Sequence, residues 1–362
     1  MLRPRETVLA VPPYHPPLAD RSGLRLDFNE NTLGCSPRVL DSLRRLTADD
    51  LARYPEKHNG ELKMADFLRV SVPEVLLTNG VDEAIHLLCQ TYLSPGDQAV
   101  IVVPTYSMYR IYMTAVGAEV VSVPAARNFE FPWTDVRKSM NQRTKLIAIA
   151  NPNNPTGRVV PPDDLLRLAE EAPSAAVLVD EAYFEFYGHS VLSRRKQYPN
   201  LFVARTFSKA YGLAGLRLGA LVGNADQMSA LRRMCSPYNV NGIALACLSD
   251  ALDDRVYVEQ YVRDVLESRA RLERTLDNAG LTFWPSQANF VLMKAGSTSA
   301  SAAQFADSMR KRGVLVRDRS ADFGCEGCVR ITLGTRQHAD KLLEALLRTL
   351  DELRIPQGVA QL

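Results

Sequence analysis

The sequence predicts an α/β fold in which a large domain with a mostly parallel sheet is followed by a smaller α+β domain. From about Ser36 onward, strand-like apolar runs alternate with amphipathic helical stretches. The runs at 99–103, 146–150, 176–179, 201–204 and 218–222 are almost continuously apolar, as strands covered on both faces must be. Beyond about Asp250 the composition shifts to charged helical sequence and then to short strands.

In chain order, Pro4, Pro12, Pro13, Pro16 and Pro17 predict an extended arm rather than a helix through about Asp20. Residues 1–35 are assigned to this arm and part of the small domain, 36–250 to the large domain and 251–362 to the small one. Residues 255–278 form a helix long enough to link the two domains. Short strands follow near 289–293, 314–316 and 329–332. The last helix, 338–353, is read with Leu342, Leu343, Leu346, Leu347, Leu350 and Leu353 on one face.

The 43 basic and 41 acidic residues nearly cancel, so global charge gives no reason to expect nucleic acid or an anionic membrane as partner. No apolar run approaches the roughly 20 residues of a membrane span, and the N-terminus lacks a signal-peptide pattern. Six scattered cysteines suit reduced thiols, and the expected location is the cytoplasm. Cys325-Glu326-Gly327-Cys328 lacks a second pair or nearby histidines and reads as a loop pair rather than a zinc or redox site. With no HExxH, no GxGxxG after a strand and no P-loop, a catalytic metal, dinucleotide and nucleotide chemistry lack support.

The carboxyl ends of the apolar runs carry the chemistry. They enter Pro104-Thr105-Tyr106, Asn151-Pro152-Asn153-Asn154-Pro155-Thr156-Gly157, Asp180-Glu181-Ala182-Tyr183 and Thr206-Phe207-Ser208-Lys209. Ligands of open α/β sheets bind at such ends, so the four loops point to one site. A desolvated Lys209 can lose its proton and, as a neutral amine, form a Schiff base. Arg217 with Thr206 and Ser208 suits a phosphate. Asp180 either caps the following helix or, buried, pairs with a cation such as a protonated pyridine nitrogen. The Asn154 amide either serves its turn or donates to a phenolate oxygen.

With its NPTG, DEAY and SKAxGLAGLR segments in this order, the chain resembles fold-type I aminotransferases, most closely the histidinol-phosphate aminotransferases, from 27–31 to 330–332. The resemblance implies pyridoxal 5′-phosphate bound as a Schiff base on Lys209, which then shuttles a proton on the substrate. Asp180 would face the pyridine nitrogen, Tyr183 and Asn154 the ring hydroxyl, and Tyr106 the ring face. Thr206, Ser208, Arg217 and the backbone amides of Val81 and Asp82 would hold the phosphate, helped by Tyr54 from the other subunit of a homodimer. Arg330, Arg317 and Tyr14 would receive the substrate's carboxylate or phosphate.

It further implies transamination between histidinol phosphate and 2-oxoglutarate or glutamate, in histidine biosynthesis. Aromatic amino-acid transamination and threonine-phosphate-type decarboxylation use the same machinery and remain alternatives. A ligand-sensing regulator is disfavoured, because the segment before Asp27 is too short for a DNA-binding domain. Two departures leave the side-chain pocket open. Thr32 stands where many relatives have proline, and the aromatic-rich stretch 128–133 is not diagnostic; separately, the segment around Tyr14 differs from the usual arm.

Overall fold

The apolar runs become a seven-stranded sheet because every one of them can be buried on both faces. In this computed structural model, which describes residues 2–11, 13, 21–353 and 355, the strand order across the sheet is Val75–Thr78, Gly219–Val222, Leu201–Thr206, Ala176–Asp180, Thr144–Ala150, Gln98–Val103 and Glu119–Pro124. All neighbours pair in parallel except around Gly219–Val222, which runs antiparallel to both of its neighbours. Alternate side chains feed two cores. Val177 and Val179 join one, while Ala176 and Leu178 face the other. Asp180, the next residue of that second face, emerges at the carboxyl end of the strand, near the helix Ser107–Ala115.

Two sheet strands went unrecognised in the sequence. Val75–Thr78 is only four residues long, and Glu119–Pro124 is an edge strand with a largely half-buried pattern. The helix Gly80–Tyr92 follows the first of these after a single linking residue, so its N-terminus opens at the carboxyl edge of the sheet.

A second sheet, wholly antiparallel, orders Arg317–Asp318, Cys328–Thr332, Phe290–Lys294 and Phe283–Trp284. The segment Val314–Leu315, read as part of one strand, instead pairs in parallel with Leu24–Arg25, so the chain start is built into this half. The helix Arg255–Asn278 has the predicted bounds, and its 24 residues span about 36 Å. It buries Val258, Tyr261, Val265, Leu272 and Leu276 along one stripe and packs on the terminal helix Arg336–Glu352. On that last helix the buried stripe is Ala339, Leu342, Ala345, Leu346, Thr349 and Leu350. Leu347 is instead 48% exposed, because the 100° step from Leu346 carries it off the stripe.

The arm also differs from expectation. Glu6–Leu9 forms one helical turn, possible because the prolines flank it rather than interrupt it, and Thr7 anchors it by donating its hydroxyl to the Ala115 carbonyl at 3.2 Å. Cys325 and Cys328 are buried free thiols packed with Leu292 and beside Phe129 and Trp284. Among the described residues no helix is long and apolar enough to cross a membrane.

Candidate active site

The carboxyl ends of the parallel strands and the face of the small sheet enclose a cavity of about 340 Å³. Its chemistry is organised around one amine. Lys209 follows the buried strand Leu201–Thr206 by three residues, and its Nζ donates to the Phe28 carbonyl at 3.1 Å. Burial, reinforced by the positive charge of Arg330, pushes its pKa down to about 8. A substantial fraction is therefore neutral near physiological pH, the state a nucleophile or proton acceptor requires.

Asp180 lines the same cavity. Tyr109, on the helix Ser107–Ala115, donates its hydroxyl to Asp180 Oδ2 at 2.6 Å, and the Ala182 amide donates to Oδ1 at 3.1 Å. Burial nevertheless pushes the carboxyl up to about 6, against the opposing effect of those two donors. The residues thus hold a carboxylate that lacks a cationic partner among the described residues, and a protonated ring nitrogen fits that deficit.

Two further groups have their acceptors engaged from behind. Asn29 Nδ2 donates to the Tyr183 hydroxyl at 2.9 Å, leaving the phenol's own hydrogen to donate. Arg330 Nη1 donates to Asn154 Oδ1 at 2.6 Å. Because arginine only donates, the oxygen of Asn154 must face it, which leaves the amide NH₂ for a ligand oxygen.

An anion cup lies at the other end. The helix Gly80–Tyr92 opens there with its first-turn amides, and Thr206, Ser208 and Arg217 line the same wall. Gly80 has φ +75°, and a Cβ on it would lie 2.6 Å from Arg217 Nη2, so glycine is what lets the guanidinium approach the helix end. Arg217 itself adopts φ +54°. Asp82 accepts from Tyr106 at 2.8 Å and from Arg217 at 3.1 Å, fixing the phenol and the guanidinium around the cup.

Arg330, Arg317 and Arg319 line the cavity from the small sheet and the loop that follows its strand Arg317–Asp318. Arg330 Nη2 donates to the Asp27 carbonyl at 2.6 Å, and its guanidinium lies 5.3 Å from the centre of the Phe290 ring. The cavity therefore brings together Val81, Asp82, Tyr106, Asn154, Asp180, Tyr183, Thr206, Ser208, Lys209, Arg217, Arg317 and Arg330. Tyr54 is elsewhere, 79% exposed and stacked on Tyr238 with ring centres 4.3 Å apart. Tyr14 lies outside the described residues.

Sequence reasoning missed Tyr109, Asn29 and Arg319. Tyr109 follows Tyr106 by one helical turn, and Arg319 follows Arg317 by one strand repeat, so periodicity was the available signal. Asn29 carries no such signal, since its partner Tyr183 is 154 residues away.

The family described as Aminotransferase class I and II matches residues 21–346. The chain is 38% identical over 334 residues to a histidinol-phosphate aminotransferase of Symbiobacterium thermophilum, covering 91% of each chain. It is 33% identical over 340 residues to one from a Geobacillus species, covering 92% of this chain and 91% of the relative. The solved structure of the Sinorhizobium meliloti histidinol-phosphate aminotransferase in complex with pyridoxal-5′-phosphate superposes with a TM-score of 0.88 at 26% identity, over 98% of this chain and 99% of that one. A family match over most of the chain, together with a buried amine, carboxylate and anion cup at the ends of the parallel strands, places this protein in the class I and II aminotransferases.

Proposed function

We propose that the protein is a pyridoxal 5′-phosphate-dependent histidinol-phosphate aminotransferase of histidine biosynthesis, with 2-oxoglutarate and glutamate as the second substrate pair. The observation that carries the reading is one cavity lined by Lys209, Asp180, the anion cup at Arg217 and the small-sheet arginines Arg317 and Arg330. The two anion-binding ends match a phosphorylated cofactor at one side and an anionic substrate at the other.

The cofactor, when bound, supplies an electron sink that makes a proton on the substrate's amine-bearing carbon labile. The protein does the rest. Asp180 stabilises the protonated ring nitrogen, and Tyr109 keeps that carboxylate ionised and oriented. The Tyr183 hydroxyl and the Asn154 amide hold the ring oxygen, and Tyr106 covers the ring. Thr206, Ser208, Arg217 and the amides of Val81 and Asp82 bind the phosphate. Lys209, with its lowered pKa, accepts the proton from substrate carbon and returns it. Arg330 and Arg317, with Tyr14 from the arm, orient the anionic end of the substrate.

The working unit in this reading is a homodimer in which Tyr54 reaches the partner's phosphate site. Its exposure and its aromatic stacking support that role. Six free cysteines support a cytoplasmic location.

The test is a set of single-turnover half-reactions of the cofactor-loaded protein with histidinol phosphate, phenylalanine, tyrosine and glutamate. Histidinol phosphate and glutamate are expected to react fastest without release of carbon dioxide. Preference for the aromatic amino acids, or carbon dioxide from an O-phospho amino acid, would overturn the assignment.

A further inference from the structure

The arginine wall holds more positive charge than its own acids neutralise. Arg317 lies directly opposite Arg330 in the antiparallel sheet, and Arg319 continues Arg317's face two residues on. Like charges opposed across strands destabilise a sheet, and here they are also largely shielded from water. Arg330 is buried, and the Arg319 side chain is only 14% exposed. The hydrogen-bond partners of Arg330 among the described residues, Asn154 Oδ1 and the Asp27 carbonyl, are both neutral. Arg317 has no carboxylate partner among the described residues, and its guanidinium lies over the Phe28 ring at 5.4 Å. Asp27 and Glu30 also line the cavity, but both pair with Arg21, and Glu30 pairs with Arg25 as well. That leaves Asp322, in ion-pair contact with Arg319, as one carboxylate against three guanidinium groups.

The wall also carries unused donors. Arg317 Nη1, Arg319 Nε and Arg330 Nε are buried without a hydrogen-bond partner. The pair of Arg319 and Asp322 sits on a loop built to stay in place. The Asp322 amide donates to the Arg319 carbonyl, Cys325 to Asp322 and Cys328 to Cys325, and the Arg319 amide closes the base on the Cys328 carbonyl at 3.0 Å. Gly327 lets the loop pack closely on the segment after the strand Phe290–Lys294, since a Cβ there would meet the Gly296 carbonyl oxygen at 2.0 Å.

We infer that Arg319 is a third anion-binding residue of the substrate site and that Asp322 is its resident counter-ion, so that the wall is charge-matched to a dianionic phosphoryl group rather than to a single carboxylate. Two uncompensated positive charges equal the charge of a phosphate monoester near neutral pH, and a tetrahedral anion accepts hydrogen bonds from several guanidinium groups at once. A carboxylate, with one charge and two oxygens, satisfies Arg330 and leaves the rest of the wall unbalanced. Asp322 lessens that imbalance, which lets the same site accept a carboxylate donor in the other half of the reaction. This assignment deepens the proposed function and rests on it for the natural substrate, but not for the anion chemistry.

The experiment uses the cofactor-loaded protein with inorganic phosphate as a dead-end inhibitor against glutamate, alongside KM values for histidinol phosphate and glutamate. Arg319→Gln is expected to weaken phosphate inhibition by about tenfold or more, with a rise in the histidinol phosphate KM that exceeds the rise for glutamate. Arg319→Lys is expected to recover part of the loss, and Asp322→Asn is expected to tighten phosphate inhibition. Opposite signs for the two loop variants support the charge assignment, since loosening of the loop would move both the same way. Equal effects on phosphate and glutamate, unchanged inhibition in Arg319→Gln, or the same sign in both variants would overturn it. If the wild type ignores histidinol phosphate while phosphate inhibition still follows Arg319, the substrate reading fails and the charge assignment stands.

Discussion

Replacing Tyr109 by phenylalanine isolates the support that the fold gives to Asp180. The ring is fully buried and packs edge-on against Tyr106 with centres 5.7 Å apart, so phenylalanine keeps the packing and removes only the hydroxyl. That hydroxyl donates to Asp180 Oδ2 at 2.6 Å. A hydrogen bond to a charged group contributes about 1.5–3 kcal/mol, which at about 1.4 kcal/mol per pKa unit corresponds to roughly one to two units. Asp180 should therefore rise from about 6 in the cofactor-free protein to roughly 7–8 in the variant. In the proposed function the ionised carboxyl holds the ring nitrogen, so cofactor binding should weaken as pH falls through this pKa, and the weakening should begin one to two units higher in the variant. Equilibrium binding of pyridoxal phosphate between about pH 5 and pH 9, for both proteins, measures the displacement. Identical pH profiles with unchanged cofactor affinity would refute the claim that Tyr109 holds the carboxylate ionised.

Covalent incorporation of pyridoxal phosphate, trapped with borohydride and read by mass, should have its half-rise near pH 8, because only the neutral Lys209 amine reacts and its pKa lies at about 8. A rise deferred to the range of an ordinary lysine, or trapping in Lys209→Ala, would show that another amine is the anchor. Gly80→Ala should lower affinity for pyridoxal phosphate by about tenfold or more while sparing pyridoxal, because its Cβ displaces the Arg217 guanidinium. An equal loss for both ligands would mean that the cup does not hold the phosphate. Arg330→Lys should raise the glutamate KM by about tenfold or more and leave the cofactor bound, since lysine cannot present the planar pair of donors. Mixing Lys209→Ala with Tyr54→Ala protein should restore activity through hybrid dimers, and failure to do so would exclude a cross-subunit role for Tyr54.

The parts of this fold that were legible in the sequence are those in which one physical demand writes a continuous pattern. Strands buried on both faces must be apolar throughout, so residues 99–103 and 201–204 announce themselves. The direction of a strand leaves no such trace. Gly219–Val222 reads the same whether parallel or antiparallel, because the apolar demand on its side chains is unchanged. The helix Arg255–Asn278 was legible to the residue, since its stripe persists over 24 positions. The arm's single turn at Glu6–Leu9 was not, because four residues are too few to set a period and its anchor is a carbonyl 108 residues away. The same division holds in the site. Lys209, Asp180, Asn154 and Arg217 sit at strand ends or in turns with distinctive composition. Tyr109 matters through a bond spanning 71 residues that only the folded sheet creates.

The strap of residues 27–32 shows why the two sheets act as one site. Arg330 donates to the carbonyl of Asp27, Lys209 to the carbonyl of Phe28, and Asn29 donates to Tyr183 while its Oδ1 accepts from Thr332 at 3.0 Å. The Thr32 amide then donates to Tyr261 on the long helix at 3.2 Å. Three consecutive residues thus connect the arginine proposed to bind the substrate anion, the amine proposed to react and the phenol proposed to hold the ring oxygen. The backbone between Asp27 and Asn29 spans at most about 7 Å, so it limits the separation of these groups; the arginine and the amine are held through carbonyls that no side-chain change removes, and the phenol through the Asn29 side-chain amide. A substrate anchored by its anion at Arg330 accordingly meets the amine at a distance set by the strap. The chemistry depends on backbone geometry in this segment as much as on the identities of Lys209 and Arg330.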